Sequence, residues 1–138
     1  MMVLVDTPVW SLSLRRRAVD LSPDQRRITK SLYTLVQQGR VRLLGSTRQE
    51  VLSGIREESV FLRIRDHLRG FKNVELDESD YEEAARGTNR CIRAGISGSN
   101  ADLLMCAVAL RYGWQIFSTD RDFARYASVL PIELFVSS

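Results

Sequence analysis

Short apolar runs alternate with longer segments in which apolar residues recur every three or four positions, and the alternation runs the length of the chain. Val3-Leu4-Val5 is continuous and β-branched, as a strand covered on both faces is, and Thr7-Pro8 then opens a helix with a hydroxyl cap and an early proline. Trp10, Leu12 and Leu14 follow without a clean period before Arg15-Arg16-Arg17 ends the segment with charge suited to a helix C-terminus. Ser22-Pro23 starts a longer helix, with Ile28, Leu32, Leu35 and Val36 at helical spacing and Gln38-Gly39 as its stop. Val41 to Leu44 is a second strand, and Gly45-Ser46-Thr47 leads into a helix containing Glu50, Val51, Leu52 and Ile55.

The next helix, Glu58 to Leu68, carries Phe61, Leu62, Ile64 and Leu68 on one side and Arg63, Arg65 and Arg69 around the other, with Gly70 closing it. Phe71 to Leu76 reads as a third strand. Asp77 and Ser79 are caps for a helix from about Tyr81 to Ala94, which Gly95 ends. Ser99-Asn100 opens a strongly apolar helix that finishes at Tyr112-Gly113. Gln115 to Ser118 is a fourth strand, Arg121 to Ala127 a short helix, and Ile132 to Val136 a last strand after Pro131. The pattern predicts an α/β fold with one domain over residues 1–138: a mostly parallel central sheet of four to five strands with helices on both faces, three layers in all.

Composition narrows the chemistry. With 138 residues and 44% apolar content the chain suits one hydrophobic core rather than two domains. Cys91 and Cys106 lack CxxC spacing and His67 is the lone histidine, so a zinc site of Cys/His type lacks ligands. No apolar run approaches the roughly 20 residues that cross a bilayer, and Asp6 interrupts the N-terminus before a signal-peptide core forms. A soluble cytoplasmic protein is the expectation. Lys+Arg 20 against Asp+Glu 17 gives a net charge of +3, with Lys30 and Lys72 the two lysines. That excess permits a polyanionic partner, and arginine's planar fork favours phosphate.

Five acids stand just after apolar runs or at helix starts: Asp6, Glu50, Asp102, Asp120 and Asp122. Ligands of open parallel sheets bind beyond the carboxyl ends of the strands, so these acids can converge from distant parts of the chain. Two carboxylates about 5 Å apart repel by roughly 3 kcal/mol at an effective dielectric near 20. A group of them must therefore take up protons or a cation, and oxygen-only ligands select Mg²⁺ or Mn²⁺. Singly, each acid has a plainer reading as a favourable charge at a helix N-terminus. Glu50 completes a Thr-Arg-Gln-Glu capping box with Thr47, and Asp102 stands three residues after Ser99 in a related arrangement. Of the pair Asp120 and Asp122, the first is the preferred ligand and the second a cap or an orienting group.

The set of spacings resembles the PIN-domain ribonucleases, and within them the VapC toxins of toxin–antitoxin pairs. The resemblance spans essentially the whole chain. It rests on Val3-Leu4-Val5-Asp6-Thr7-Pro8-Val9-Trp10, Glu50, Ala101-Asp102-Leu103-Leu104-Met105-Cys106-Ala107 and Ser118-Thr119-Asp120-Arg121-Asp122-Phe123, in that order. It implies a PIN-like three-layer fold and a metal-binding, catalytic quartet of Asp6, Glu50, Asp102 and Asp120, with Asp122 as a secondary fifth acid and Thr7 and Ser118 as polar supports. Ser118 replaces the more usual threonine and Pro8 a small polar residue; neither removes an acid.

By the same resemblance the activity is Mg²⁺- or Mn²⁺-dependent endoribonuclease cleavage of RNA phosphodiesters, and the partners are a VapB-type antitoxin and a second copy of the chain, with no membrane. Arg15 to Arg17 or the Arg63, Arg65, Arg69 face would guide the RNA backbone. Apolar candidates for the protein interfaces are Trp10, Leu12, Leu14, Tyr33, Phe61 and Trp114, with at least half expected in the core. Alternative readings are a PIN-like RNA- or protein-binding module without catalysis and a PIN nuclease of RNA processing. A phosphoryl-transfer protein would also place acids at strand ends, but Lys30 and Lys72 sit poorly for the lysine such sites use.

Overall fold

The sheet grows outward from the first strand. In the computed structural model, which describes residues 1–137, β1 (Val3–Val5) pairs on one side with β2 (Val41–Arg42) and on the other with β3 (Gln115–Phe117), and β3 pairs with β4 (Glu133–Leu134). The order is β2-β1-β3-β4 and every pairing is parallel. Around it lie α1 (Thr7–Leu14), α2 (Pro23–Gln37), α3 (Gly45–Leu52), α4 (Glu58–Leu68), α5 (Glu78–Arg93), α6 (Asn100–Tyr112) and α7 (Asp122–Ala127), with a 3₁₀ turn over Ala18–Asp20.

The strands explain why there are two cores. Successive side chains of a strand point to opposite faces. Val3 and Val5 accordingly join Val41, Leu43 and Phe117 in a cluster with Val9, Trp10, Leu32, Leu35, Val51, Ile64 and Leu68, which come from α1, α2, α3 and α4. Leu4 and Ile116, one residue out of step, join the other cluster, with Leu103 to Ala109 of α6, Ala84 and Cys91 of α5, and Phe123 and Tyr126 of α7. The register Val3 to Gln115, Leu4 to Ile116 and Val5 to Phe117 keeps these two sets on their own faces. The three-layer α/β architecture expected from the alternation is present.

Four strands form, and the segment Phe71 to Leu76 is not among them. Its ladder contact is a single parallel bridge from Leu43 to Asn73, with the Val74 amide donating to the Leu43 carbonyl at 2.9 Å. The reason is Arg48, whose guanidinium reaches across from α3 and donates to the carbonyls of Leu68 and Phe71 and to the Asn73 side chain. Of these groups the Phe71 carbonyl is the one backbone acceptor of the segment, and the side-chain fork takes it from any ladder. Phe71 meanwhile turns inward and meets Trp10 edge to face, with ring centroids 5.2 Å apart. The last strand is likewise shorter than the apolar run from Ile132 to Val136, covering Glu133–Leu134.

Side-chain caps start α2, α5 and α6, whereas α1, for which Thr7 is the expected cap, and α3, α4 and α7 begin without one. Ser22 and Gln25 form a reciprocal capping box at the start of α2. Asp77 and Asp80 do the same for α5, which starts that helix at Glu78, ahead of the expected Tyr81. Gly113 ends α6 in the left-handed region at φ 67°, so the chain can double back from α6 into β3. The return places the carboxyl ends of β1 and β3 side by side, with Asp6 and Ser118 one residue beyond them.

Candidate functional site

Asp6 follows β1 and extends its pairing, the Asp6 amide donating to the Phe117 carbonyl at 2.9 Å. Its carboxylate does not cap α1. It is buried, 7% exposed, and accepts a hydrogen bond from the Ser118 hydroxyl at 2.7 Å. Burial pushes its pKa up to about 6; the bonds from Ser118 and the Thr7 amide work against the rise, and the charges of Asp102 and Glu50 add to it.

Glu50 lies in the second turn of α3. That helix starts at Gly45 with Leu44 before it and no side-chain cap, so the Thr47–Glu50 capping box does not form and Thr47 is buried instead. Glu50 is therefore not committed to a cap. Its Oε2 accepts from the Thr7 hydroxyl at 2.9 Å, which ties α3 to the start of α1. Thr7 and Ser118 thus each hold one acid, as polar supports.

Asp102 is half-buried in the first turn of α6. Ser99 caps that helix by accepting from the Asp102 amide at 3.1 Å, while the Asp102 Oδ2 accepts from the Tyr126 hydroxyl at 2.7 Å. Burial raises the Asp102 pKa, the bonds from Tyr126 and Ser99 oppose this, and the charges of Asp120 and Glu50 reinforce it. Beyond β3, the Ser118 hydroxyl also accepts from the Asp120 amide at 3.0 Å, and Asp120 Oδ1 accepts from the Asp122 amide at 2.9 Å. One serine therefore joins Asp6 on the first strand to Asp120 after the third.

The carboxylates of Asp102, Asp120 and Asp122 each offer an oxygen, all within 4.8 Å of one another. Asp6 and Glu50 stand beside this trio, close enough to perturb Asp102 or each other by charge. The structure thus brings all five sequence-selected acids to one end of the sheet, and it places Asp122 inside the tight cluster. Among the described residues none of the five forms an ion pair. Oxygens bound to one small divalent ion at about 2.1 Å lie up to roughly 4 Å apart, so the trio is within a small adjustment of that spacing. An all-carboxylate donor set suits Mg²⁺ or Mn²⁺.

Tyr126 escaped the reading of the sequence. It is fully buried, and its hydroxyl is held in the protonated, donating form, its pKa raised by burial and by Asp102. A signal was available: Asp122 and Tyr126 are four residues apart and so share a face of α7. Cys106, one turn along α6 from Asp102, is a buried thiol pushed up to about 12 by burial and the nearby acids, which makes it inert as a nucleophile.

The surroundings separate the two arginine groups. Arg15 and Arg16 line an open groove of about 540 Å³ with Pro8, Ser11, Gln25 and Thr119, next to Asp120. Arg65 pairs with Asp66, and Arg63 reaches back to the Leu14 carbonyl, both on α4. His67 is exposed. Of the six apolar interface candidates, Trp10 alone is core, 3% exposed with its indole N–H donating to the Val5 carbonyl; Tyr33 is 63% exposed and the other four are half-buried.

Comparison with known proteins agrees with this geometry. Residues 3–129 match the model of the PIN domain family. The chain is 25% identical over 134 residues to VapC ribonuclease Mb1587 of Mycobacterium bovis and to ribonuclease VapC11 of Mycobacterium tuberculosis, covering 96% of this chain and 96% of each relative. Its fold is similar to that of FitAcB from Neisseria gonorrhoeae, with a TM-score of 0.76, 19% identity and coverage of 99% of this chain and 98% of that one. It is also similar to VapBC2 from Rickettsia felis bound to a DNA fragment from their promoter, with a TM-score of 0.69, 10% identity and 98% of each chain covered.

Proposed function

The chain belongs to the PIN-domain family, and from that premise we propose that it is a Mg²⁺- or Mn²⁺-dependent endoribonuclease, the toxin of a VapBC-type pair. The observation that carries the proposal is the convergence of three carboxylates within 4.8 Å, with a buried fourth beside them and no cation among the described residues to balance them. Asp102, Asp120 and Asp122 would hold the ion, with Asp6 and Glu50 completing its surroundings. Bound there, a divalent ion supplies Lewis-acid polarisation of a phosphodiester and lowers the pKa of water.

The chain's own residues prepare that site. Ser118 fixes one oxygen of Asp6 and Thr7 one oxygen of Glu50, so both carboxylates are oriented before any ligand arrives. Asp6 gives up its proton near pH 6, which makes the fully charged form available at neutral pH. Arg15 and Arg16, on the groove that reaches Thr119, supply the positive potential that draws a phosphate backbone toward the acids. That groove favours the first arginine group over the α4 face as the RNA guide.

An antitoxin segment has a place of matching chemistry. Trp10, Leu12, Leu14, Leu32, Tyr33 and Phe71 line an apolar groove of about 430 Å³, and Ser13 contributes a buried hydroxyl without a partner there. An amphipathic segment with one polar group at that level fits both features. The exposed Tyr112, stacked on Trp114 with centroids 4.3 Å apart, and the neighbouring Leu110 support self-association through the end of α6.

The nuclease assignment is tested on a labelled single-stranded RNA with and without Mg²⁺. Wild type should cleave only with the metal, and Asp102→Asn should lose roughly 10²- to 10³-fold or more, the equivalent of several kcal/mol of electrostatic stabilisation. Equal cleavage by both proteins would sink the assignment.

A further inference from the structure

The hydrogen bond between Tyr126 and Asp102 joins two helices at the point where the acids converge. We propose that Tyr126 is a positioning residue for the metal centre: its hydroxyl commits one oxygen of Asp102 and leaves the other to Asp120 and Asp122, and Gly98 keeps that hydroxyl in place. The inference rests on the metal-dependent reading given above.

Three observations carry it. First, the hydroxyl donates to Asp102 Oδ2 at 2.7 Å from a side chain with no exposed surface, so water does not substitute for it. A carboxylate held by one fixed donor loses its freedom to rotate, and outer partners of this kind orient metal ligands. Second, the ring is itself fixed. It sits edge to face with Phe123 at a centroid distance of 5.3 Å and an interplanar angle of 86°, inside the cluster that includes Leu103 and Leu130. Asp122 shares its face of α7, so the same helix presents an acid of the trio and the donor to its neighbour.

Third, the loop before α6 is shaped around the hydroxyl. A Cβ at Gly98 would lie 2.8 Å from both the Tyr126 hydroxyl oxygen and its ring carbon Cε1, and 2.5 Å from Leu103 Cδ2. The leucine tip can move; the tyrosine ring, packed on Phe123 and bonded to Asp102, cannot without breaking that bond. Gly98 immediately precedes Ser99, which caps α6 through the Asp102 amide. Main chain and side chain of Asp102 are therefore both fixed by this corner of the fold.

The test is calorimetric titration of Mn²⁺ into wild type, Tyr126→Phe and Gly98→Ala, with thermal melts of each. Tyr126→Phe keeps the ring and removes only the donor. Its Mn²⁺ dissociation constant should rise about tenfold, within the range seen when outer partners of metal ligands are removed. Gly98→Ala should shift the constant in the same direction, and it decides the matter by the same criterion where Tyr126→Phe does not fold. Phe123→Leu, which loosens the ring packing but keeps the hydroxyl, should lower Tm and raise the constant by less than Tyr126→Phe does. A Tyr126→Phe constant within about twofold of wild type, or an equal rise in Phe123→Leu, overturns the positioning role. A wild type that binds no Mn²⁺ overturns the metal-centre reading as well, and so is a different result from a binding wild type with an unchanged variant.

Discussion

Two aspartates are buried in the described part of this molecule, and the fold treats them oppositely. Asp80, 2% exposed, faces the Arg111 guanidinium at 2.6 Å and accepts from the Asp77 amide at 2.9 Å as half of the α5 capping box. Its charge is matched by a neighbour's. Asp6, 7% exposed, receives one hydroxyl and has two further acids as its electrostatic neighbours. Asp80 is given its counter-charge from the same chain, whereas Asp6 is left short of one. The shortfall is what the proposed divalent ion would supply.

The contrast makes opposite forecasts for the same Asp→Asn change. Asp80→Asn leaves Arg111 with only the more distant Asp77 carboxylate, 4.0 Å away, and weakens the cap. The variant should lose about 2 kcal/mol of stability, less than a fully buried pair would because the arginine left behind is 41% exposed, and keep its Mn²⁺ affinity. Urea unfolding and Mn²⁺ titration read the two quantities. A variant as stable as wild type would break the comparison.

Asp6→Asn should instead stabilise the metal-free protein at pH 8, by about 2 kcal/mol. The sign follows from protons. Asp6 titrates at about 6 in the fold and near 3.8 when unfolded, so between those values the native state holds the extra proton and stability falls as pH rises. In metal-free wild type, unfolding free energy should therefore drop from pH 4 to pH 7, and in Asp6→Asn the slope should shrink. It does not vanish, since Asp102 is raised as well. Asp77 is held below its usual range and acts in the opposite sense, but at more acid pH. An unchanged slope in Asp6→Asn would show that this carboxylate is not the one short of charge.

Ser118→Ala sharpens the comparison most finely. The hydroxyl lowers the Asp6 pKa, so its removal should move the pH at which Mn²⁺ binding is half lost upward, with a stability change of about 1 kcal/mol. A downward move would contradict the hydrogen bond's assigned direction.

Much of this was legible in the residues. The acids were marked by their positions after apolar runs, and the parallel sheet by the alternation of periods. Two failures have physical causes. The Thr47–Glu50 box does not form because α3 begins three residues earlier, at Gly45, which carries Thr47 inward and Glu50 into the second turn. The strand expected over Phe71 to Leu76 has the right composition, but Arg48 takes the Phe71 carbonyl and holds the Asn73 side chain, and a side chain 23 to 25 residues away leaves no local trace. Tyr126 was hidden for a like reason: an aromatic on a short apolar helix reads as core, which it is, and its hydroxyl's partner lies on another helix.

The serine bridge also has a consequence in time. Asp6 and Ser118 are 112 residues apart, and β1 has β3 as its neighbour on one side. A chain still being synthesised can pair β1 with β2 and bring Thr7 to Glu50 early, yet it carries none of the acidic trio. Seventy-two residues separate Glu50 from Asp122, roughly 4 to 14 s of elongation at about 5 to 20 residues per second. Through that interval the nascent protein holds only part of the acidic cluster.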